Sequence, residues 1–173
     1  ATGVVSGGGC VGGLVGNNAS ESIITNSYAT GVVSSSARCG YELGGLVGTN
    51  YKSTITNSYA TGAVNGYRQI GGLVGYNERS TITNNYAVGA INYSGSIPYD
   101  AGGLVGKNAV ASVINSFYDK TTAKRYDTGK GVGLLTDEFK DATNFTDWKW
   151  QSAKETGNDD DFPWVAYTDG YPY

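Results

Sequence analysis

The sequence predicts an all-β chain, a right-handed parallel β-solenoid of about four coils closed by an aromatic C-terminal cap with a short helix. Three observations carry that reading. One phrase recurs four times: "GGLVGNNASESIITNSYATGVV", "GGLVGTNYKSTITNSYATGAV", "GGLVGYNERSTITNNYAVGAI" and "GGLVGKNAVASVINSFYDK". Its opening pairs, Gly12-Gly13, Gly44-Gly45, Gly71-Gly72 and Gly102-Gly103, are spaced by 32, 27 and 31 residues, a period typical of stacked supersecondary units. The 173 residues include 27 Gly and 14 Tyr but no His and no Met. Gly disfavours helices, whereas Tyr and β-branched residues favour strands.

Each unit contributes about three short strands between Gly or Asn corners. "STITNSYATGAV" alternates Thr and Ile and is rich in strand formers. In register, Ile24, Ile55, Ile82 and Val113 form one inward column, and Leu14, Leu46, Leu73 and Leu104 a second. Val33, Val64 and Ile91 form a third, and Val11, Leu43, Ile70 and Ala101 a fourth. One unit cannot bury such a face alone, so successive units stack at about 4.8 Å, the strand spacing. The right hand is expected because parallel crossovers almost always have it. Variation is confined to polar, Gly-rich inserts of 5, 9, 5 and 9 residues before each Gly-Gly pair.

Two further columns are expected to be structural ladders. Asn26, Asn57, Asn84 and Asn115 suit left-handed corners, and their amides can bond from coil to coil. Tyr28, Tyr59, Tyr86 and Phe117 form an aromatic stack, for which an exposed binding strip is the alternative. The repeats fill 1–118. Residues 119–173 hold all three Trp and 11 of the 15 acidic residues, and read as a cap over the open end of the last coil. Within it "LLTDEFKDA" offers Thr136 as the N-cap of a short helix. The chain opens in mid-phrase at "ATGVV", so it reads as a mature or excised fragment. Its first coil has no comparable cap in this sequence.

The phrase GGLVG-x-N…I-T-N-S-Y-A-T-G resembles the GLUG repeat of large bacterial and archaeal surface proteins. These include adhesins and the non-catalytic regions of immunoglobulin A-cleaving metallopeptidases. The resemblance covers about 1–118 in four copies. The tail pattern "FYDKTT…GLLTDEF…GYPY" resembles the segment that often ends such arrays. The resemblance implies an extracellular or cell-surface location and a structural or adhesive role, without catalytic residues. Unit four departs from the pattern, with Tyr118-Asp119-Lys120 where "ATG" stood.

Chemistry is sparse. Without His there is no Ser-His-Asp or Cys-His arrangement. The carboxylates of the repeats, Glu21, Glu42, Glu78 and Asp100, read as solvated edges rather than a glycosidase pair. Gly7-Gly8-Gly9-Cys10-Val11-Gly12 spells GxGxxG outside any βαβ context and carries no nucleotide site. Thr54/Thr56 and Thr81/Thr83 hint at an ice-binding array, but only two of four units keep the pair. "NDDD" (Asn158 to Asp161) can be read as a calcium loop or, better, as an acidic surface loop. Cys10 and Cys39 stand about one coil apart, which suits a disulfide between neighbouring coils; two free thiols are the alternative.

A net charge of −3 gives no reason to expect nucleic acid as a partner, and no apolar run reaches the length of a membrane span. The expected function is an extracellular structural or adhesive module, a stalk or head-to-tail filament subunit. Its partners would be copies of itself, surface proteins or glycans, and it would need no cofactor or metal. The alternatives are a glycan-binding module and a polysaccharide-cleaving β-helix. The inserts at 34–42 and 92–100 are the most exposed, and Arg38, Tyr41, Tyr93 and Tyr99 are the contact candidates.

Overall fold

The computed structural model of the chain describes residues 1–35, 41–94, 101–127, 130–145, 148, 150–151, 164–165 and 172. The chain winds as a parallel β-solenoid with five faces. Its first turn runs β1 (Val5–Gly7), β2 (Gly9–Gly12), β3 (Val15–Ala19), β4 (Ile23–Thr25) and β5 (Tyr28–Ala29). Each strand heads its own parallel sheet, of four strands on the first four faces and five on the last. Pairing is in register from turn to turn: Val5 faces Val33, Val33 faces Val64, and Val64 faces Ile91. That makes three complete turns. A fourth supplies Ile91–Tyr93, Ala101–Gly102, Val105–Ala109, Ser112–Ile114 and Phe117–Asp119, and then gives way to a helix. The expected coils, about four in number, thus appear as four rungs on every face, with a fifth strand on the last.

Period-two alternation fills the core. On the fourth face Ile55 and Ile82 are fully buried between half-exposed threonines. Leu43, Leu46, Val47, Val64, Ile70, Leu73, Val74 and Leu104 are also at zero exposure, each worth about 1.5–3 kcal/mol in burial. The first turn is different. Leu14 is 43% exposed whereas its column mates Leu46, Leu73 and Leu104 are at 0%, because no turn lies beyond it in the structure.

The Gly-Gly pair marks a corner where successive turns touch backbone to backbone. A Cβ on Gly45 would stand 2.1 Å from the carbonyl oxygen of Gly72, and one on Gly44 1.9 Å from that of Val47. No side chain fits there. The corner amides point along the solenoid axis: Gly45 N–H donates to Gly71 O and Leu46 N–H to Leu73 O.

The far end is closed by the segment after Phe117. Where the earlier turns carry Ala29, Ala60 and Ala87, the fourth carries Tyr118. Its ring lies against Gly103 and is 1% exposed, plugging the core. Asp119, fully buried, caps a four-residue helix, Lys120–Ala123, through the amides of Thr121 and Thr122. Thr136 is not the helix N-cap that the sequence suggested. Its hydroxyl donates to Asp119 instead, and Glu138–Lys140 forms only a 3-10 turn. Val132–Leu134 then adds a fifth strand to the last face, with Val132 opposite Phe117.

Candidate functional site

Three columns run along the outside or just beneath it, and they are what the fold offers for recognition. The first is aromatic. Tyr28 and Tyr59 stack with ring centroids 5.2 Å apart and 9° between planes, and Tyr59 and Tyr86 at 5.0 Å and 3°. In-register pairing on the fifth face dictates this parallel stacking, a geometry worth about 0.5–1.5 kcal/mol per pair beyond burial. The column is not uniform. Tyr28 is exposed, Tyr59 half-buried, Tyr86 and Phe117 buried. Phe139, Phe145 and Trp148 cover its far half, with Phe145 edge-on to Phe117 at 4.9 Å. Burial, then the neighbouring Tyr28, pushes the Tyr59 phenol above its ordinary range. Tyr86 donates its hydroxyl hydrogen to the carbonyl of Pro172, so Pro172 also reaches this column. Trp148 therefore lies on the flank of the solenoid, donating from Nε1 to Asn115 O at 2.9 Å, while Tyr118 does the plugging.

The second column is Asn26, Asn57, Asn84 and Asn115. All four have left-handed backbone, φ 44–56°. Their side chains form little of an amide ladder: Asn84 Nδ2 reaches Asn57 Oδ1 only at 3.4 Å, and Asn84 Oδ1 is buried without a partner. The ladder is built by residues that sequence reasoning passed over, Asn18, Asn50, Asn77 and Asn108. Each Nδ2 donates to the next Oδ1, at 2.8, 2.9 and 2.8 Å, with Asn50 and Asn77 fully buried. The signal was present in the sequence, since the Asn of "GLVG-x-N" is in all four units. A second polar thread runs beside it: Ser22 N–H donates to Ser53 Oγ and Ser53 N–H to Ser80 Oγ.

The candidate contact residues are dispersed. Tyr41 is 48% exposed, with its ring over Gly9. Tyr93 is half-buried with the Arg125 guanidinium 5.5 Å from its ring. Arg38 and Tyr99 lie outside the described residues, as does the Asn158–Asp161 loop. Cys10 is a free cysteine whose thiol donates to Glu42 Oε2 at 2.8 Å, while Thr49 donates to the same oxygen at 2.9 Å. Burial first, then that carboxylate, pushes the thiol above its ordinary range. Cys39, its suggested disulfide partner, lies outside the described residues. Among the described residues no three His, Cys, Asp or Glu side chains converge as a metal site, and no helix is long and apolar enough to cross a membrane.

The end of the stack is chemically matched to the cap. In earlier turns the corner amide of Gly45 meets a carbonyl of the next turn. At the last turn Asp127 takes that place and accepts from Gly103 N–H. Lys130 Nζ donates to Gly106 O at 2.7 Å, and Val132 N–H to Ser116 O at 2.9 Å. Desolvation pushes the Asp127 carboxyl above the usual carboxylate range, against the pull of Gly103 N–H, Lys130 and Arg125.

Residues 7–34, 40–65 and 66–92 each match the GLUG motif. Over 158 residues the chain is 36% identical to a protein of Evansella cellulosilytica described as "Putative Gly-rich membrane protein". That match covers 89% of this chain and 14% of the relative, so the chain spans about one seventh of its length. No solved structure matches the chain.

Proposed function

We propose, from the premise that this chain belongs to the GLUG-repeat proteins and carries three copies over residues 7–92, that it is a non-catalytic structural and adhesive module of the cell surface. In this reading it is the closing segment of a stalk. Turns stack on its first rung, from the same polypeptide or from a second copy, and its cap ends the stack. One observation carries the proposal: Leu14 lies 43% exposed in a column that is fully buried in every later turn. The first rung thus offers a further turn the same apolar and hydrogen-bonding surface that turn two offers turn one. The opposite end has its carbonyls and amides taken by Asp127, Lys130 and Val132, which favours a terminal stalk element over an endless head-to-tail filament. A surface setting is supported by the relative's description as a membrane protein and by its much greater length.

Sedimentation velocity over rising concentration tests this. The isolated chain is expected to associate reversibly through its first rung, and Leu14→Glu to abolish the association without lowering the unfolding midpoint. A wild-type chain that stays monomeric at every concentration while Leu14→Glu behaves identically overturns the stacking surface.

A further inference from the structure

A groove of about 390 Å³ runs along the corner between the third and fourth faces, lined by Glu21, Ile23, Lys52, Thr54, Arg79 and Thr81 over a floor of Ser53 and Ser80. We propose that it is a binding site for an acidic saccharide chain, held by its carboxylate groups. The site is independent of the stacking surface.

The corner itself builds the groove. Glu21, Lys52 and Arg79 all occupy left-handed backbone, at φ 63°, 50° and 51°, so each of the first three turns projects one long side chain from the same place, where the fourth carries Val110. Tyr51 pairs with Glu78 and Thr54 with Thr81 in the ladders on either side. Lys52 and Arg79 therefore stand one rung apart, at about the strand spacing of 4.8 Å. Both are exposed. The Lys52 ammonium lies 5.2 Å from the Tyr51 ring, and Arg79 Nε is 4.0 Å from Glu78 Oε1. Each cation has such a neighbour, and the Arg79 side chain is still 57% exposed. A guanidinium fork suits a carboxylate.

The remaining lining fixes the class of ligand. Thr54 and Thr81 also line the groove, and threonine hydroxyls can bond a polyhydroxylated ring. The floor serines are committed: Ser53 Oγ donates to Tyr51 O and Ser80 Oγ to Glu78 O. An extended acidic peptide fits worse. The strands on both sides already pair with the turns above and below, so no strand edge is free to bind its backbone. Glu21 at the first rung repels an anion, which places the ligand's charges on the second and third rungs.

The test compares polygalacturonate, dextran, dextran sulfate and polyglutamate by isothermal titration calorimetry at low salt. Polygalacturonate is expected to bind, more weakly as salt rises, and Lys52→Gln/Arg79→Gln to weaken it roughly tenfold with an unchanged melting temperature. The control Lys107→Gln/Lys124→Gln, which removes the same charge elsewhere, is expected to bind as the wild type does. Equal loss in both double variants, or binding of polyglutamate or dextran sulfate as tight as polygalacturonate, overturns the carboxylated-saccharide site. So does an absence of polygalacturonate binding. The self-association test above is unaffected by any of these results.

Discussion

At the residue scale, the two asparagine columns of the repeat do opposite jobs. Asn57 serves its backbone, holding φ 48° at a corner, and Asn77 serves its side chain, bonding the turns on both sides. Sequence reasoning found the corner column because Asn between a strand and a Ser-Tyr pair is turn chemistry. It missed the amide ladder because an Asn inside a strand looks outward-facing until the burial of its neighbours is known. The two are separable. Asn77→Ala takes a partner from the buried Asn50 amide and from the half-buried Asn108 oxygen and should cost about 2–3 kcal/mol in denaturant unfolding. Asn57→Ala should cost about 1 kcal/mol and Asn57→Gly close to nothing, since only the left-handed backbone is at stake. Cys10 gives a second check. In a chain carrying Cys39→Ser, Glu42→Gln removes the carboxylate that holds the thiol protonated. Alkylation of Cys10 near pH 8 should then speed up; an unchanged or slower rate would contradict the assignment.

Elements are decided by corners more than by strands. The strand columns of Ile, Leu and Val were legible because they recur at fixed offsets from the Gly-Gly pair. The reason for that pair was not, since it lies in the approach of two backbones. Gly72→Ala would bring Cβ to 2.2 Å from Gly103 O and 2.8 Å from the Ala87 methyl. A shift of the whole turn is required, so a loss above about 3 kcal/mol is expected, against a near-neutral Ala87→Gly/Gly72→Ala only if the methyl clash dominates. The cap was visible as a change in composition, but its fit was hidden in side chains that imitate backbone. Asp127 stands where a carbonyl of a further turn would stand. Its pKa in the folded chain lies above that of the unfolded chain, so the folded state holds the proton more tightly. That contribution is favourable below the ordinary aspartate range and is lost as pH rises through the folded group's titration. Asp127→Asn keeps an acceptor for Gly103 N–H and should flatten the decline in thermal stability across that window.

For the whole molecule, the sequence announced a stack of like turns, and the structure shows what makes the turns interchangeable. Five faces pair in register, one amide ladder threads the interior, and one aromatic column runs from exposed Tyr28 to buried Phe117. The asymmetry of the two ends was less legible. Tyr118, which plugs the core, read only as a departure from "ATG", because its partner Gly103 is remote in sequence. In a linear array, stability is the sum of repeat terms and interface terms. Stacking is thus the central claim, and it can be tested by adding a turn. A chain in which residues 45–71 are repeated once after Gly71 gains one rung on every face. Differential scanning calorimetry should show one cooperative transition at a higher midpoint and with a larger enthalpy than the natural chain. A second, independent transition, or a midpoint that falls, would contradict the account.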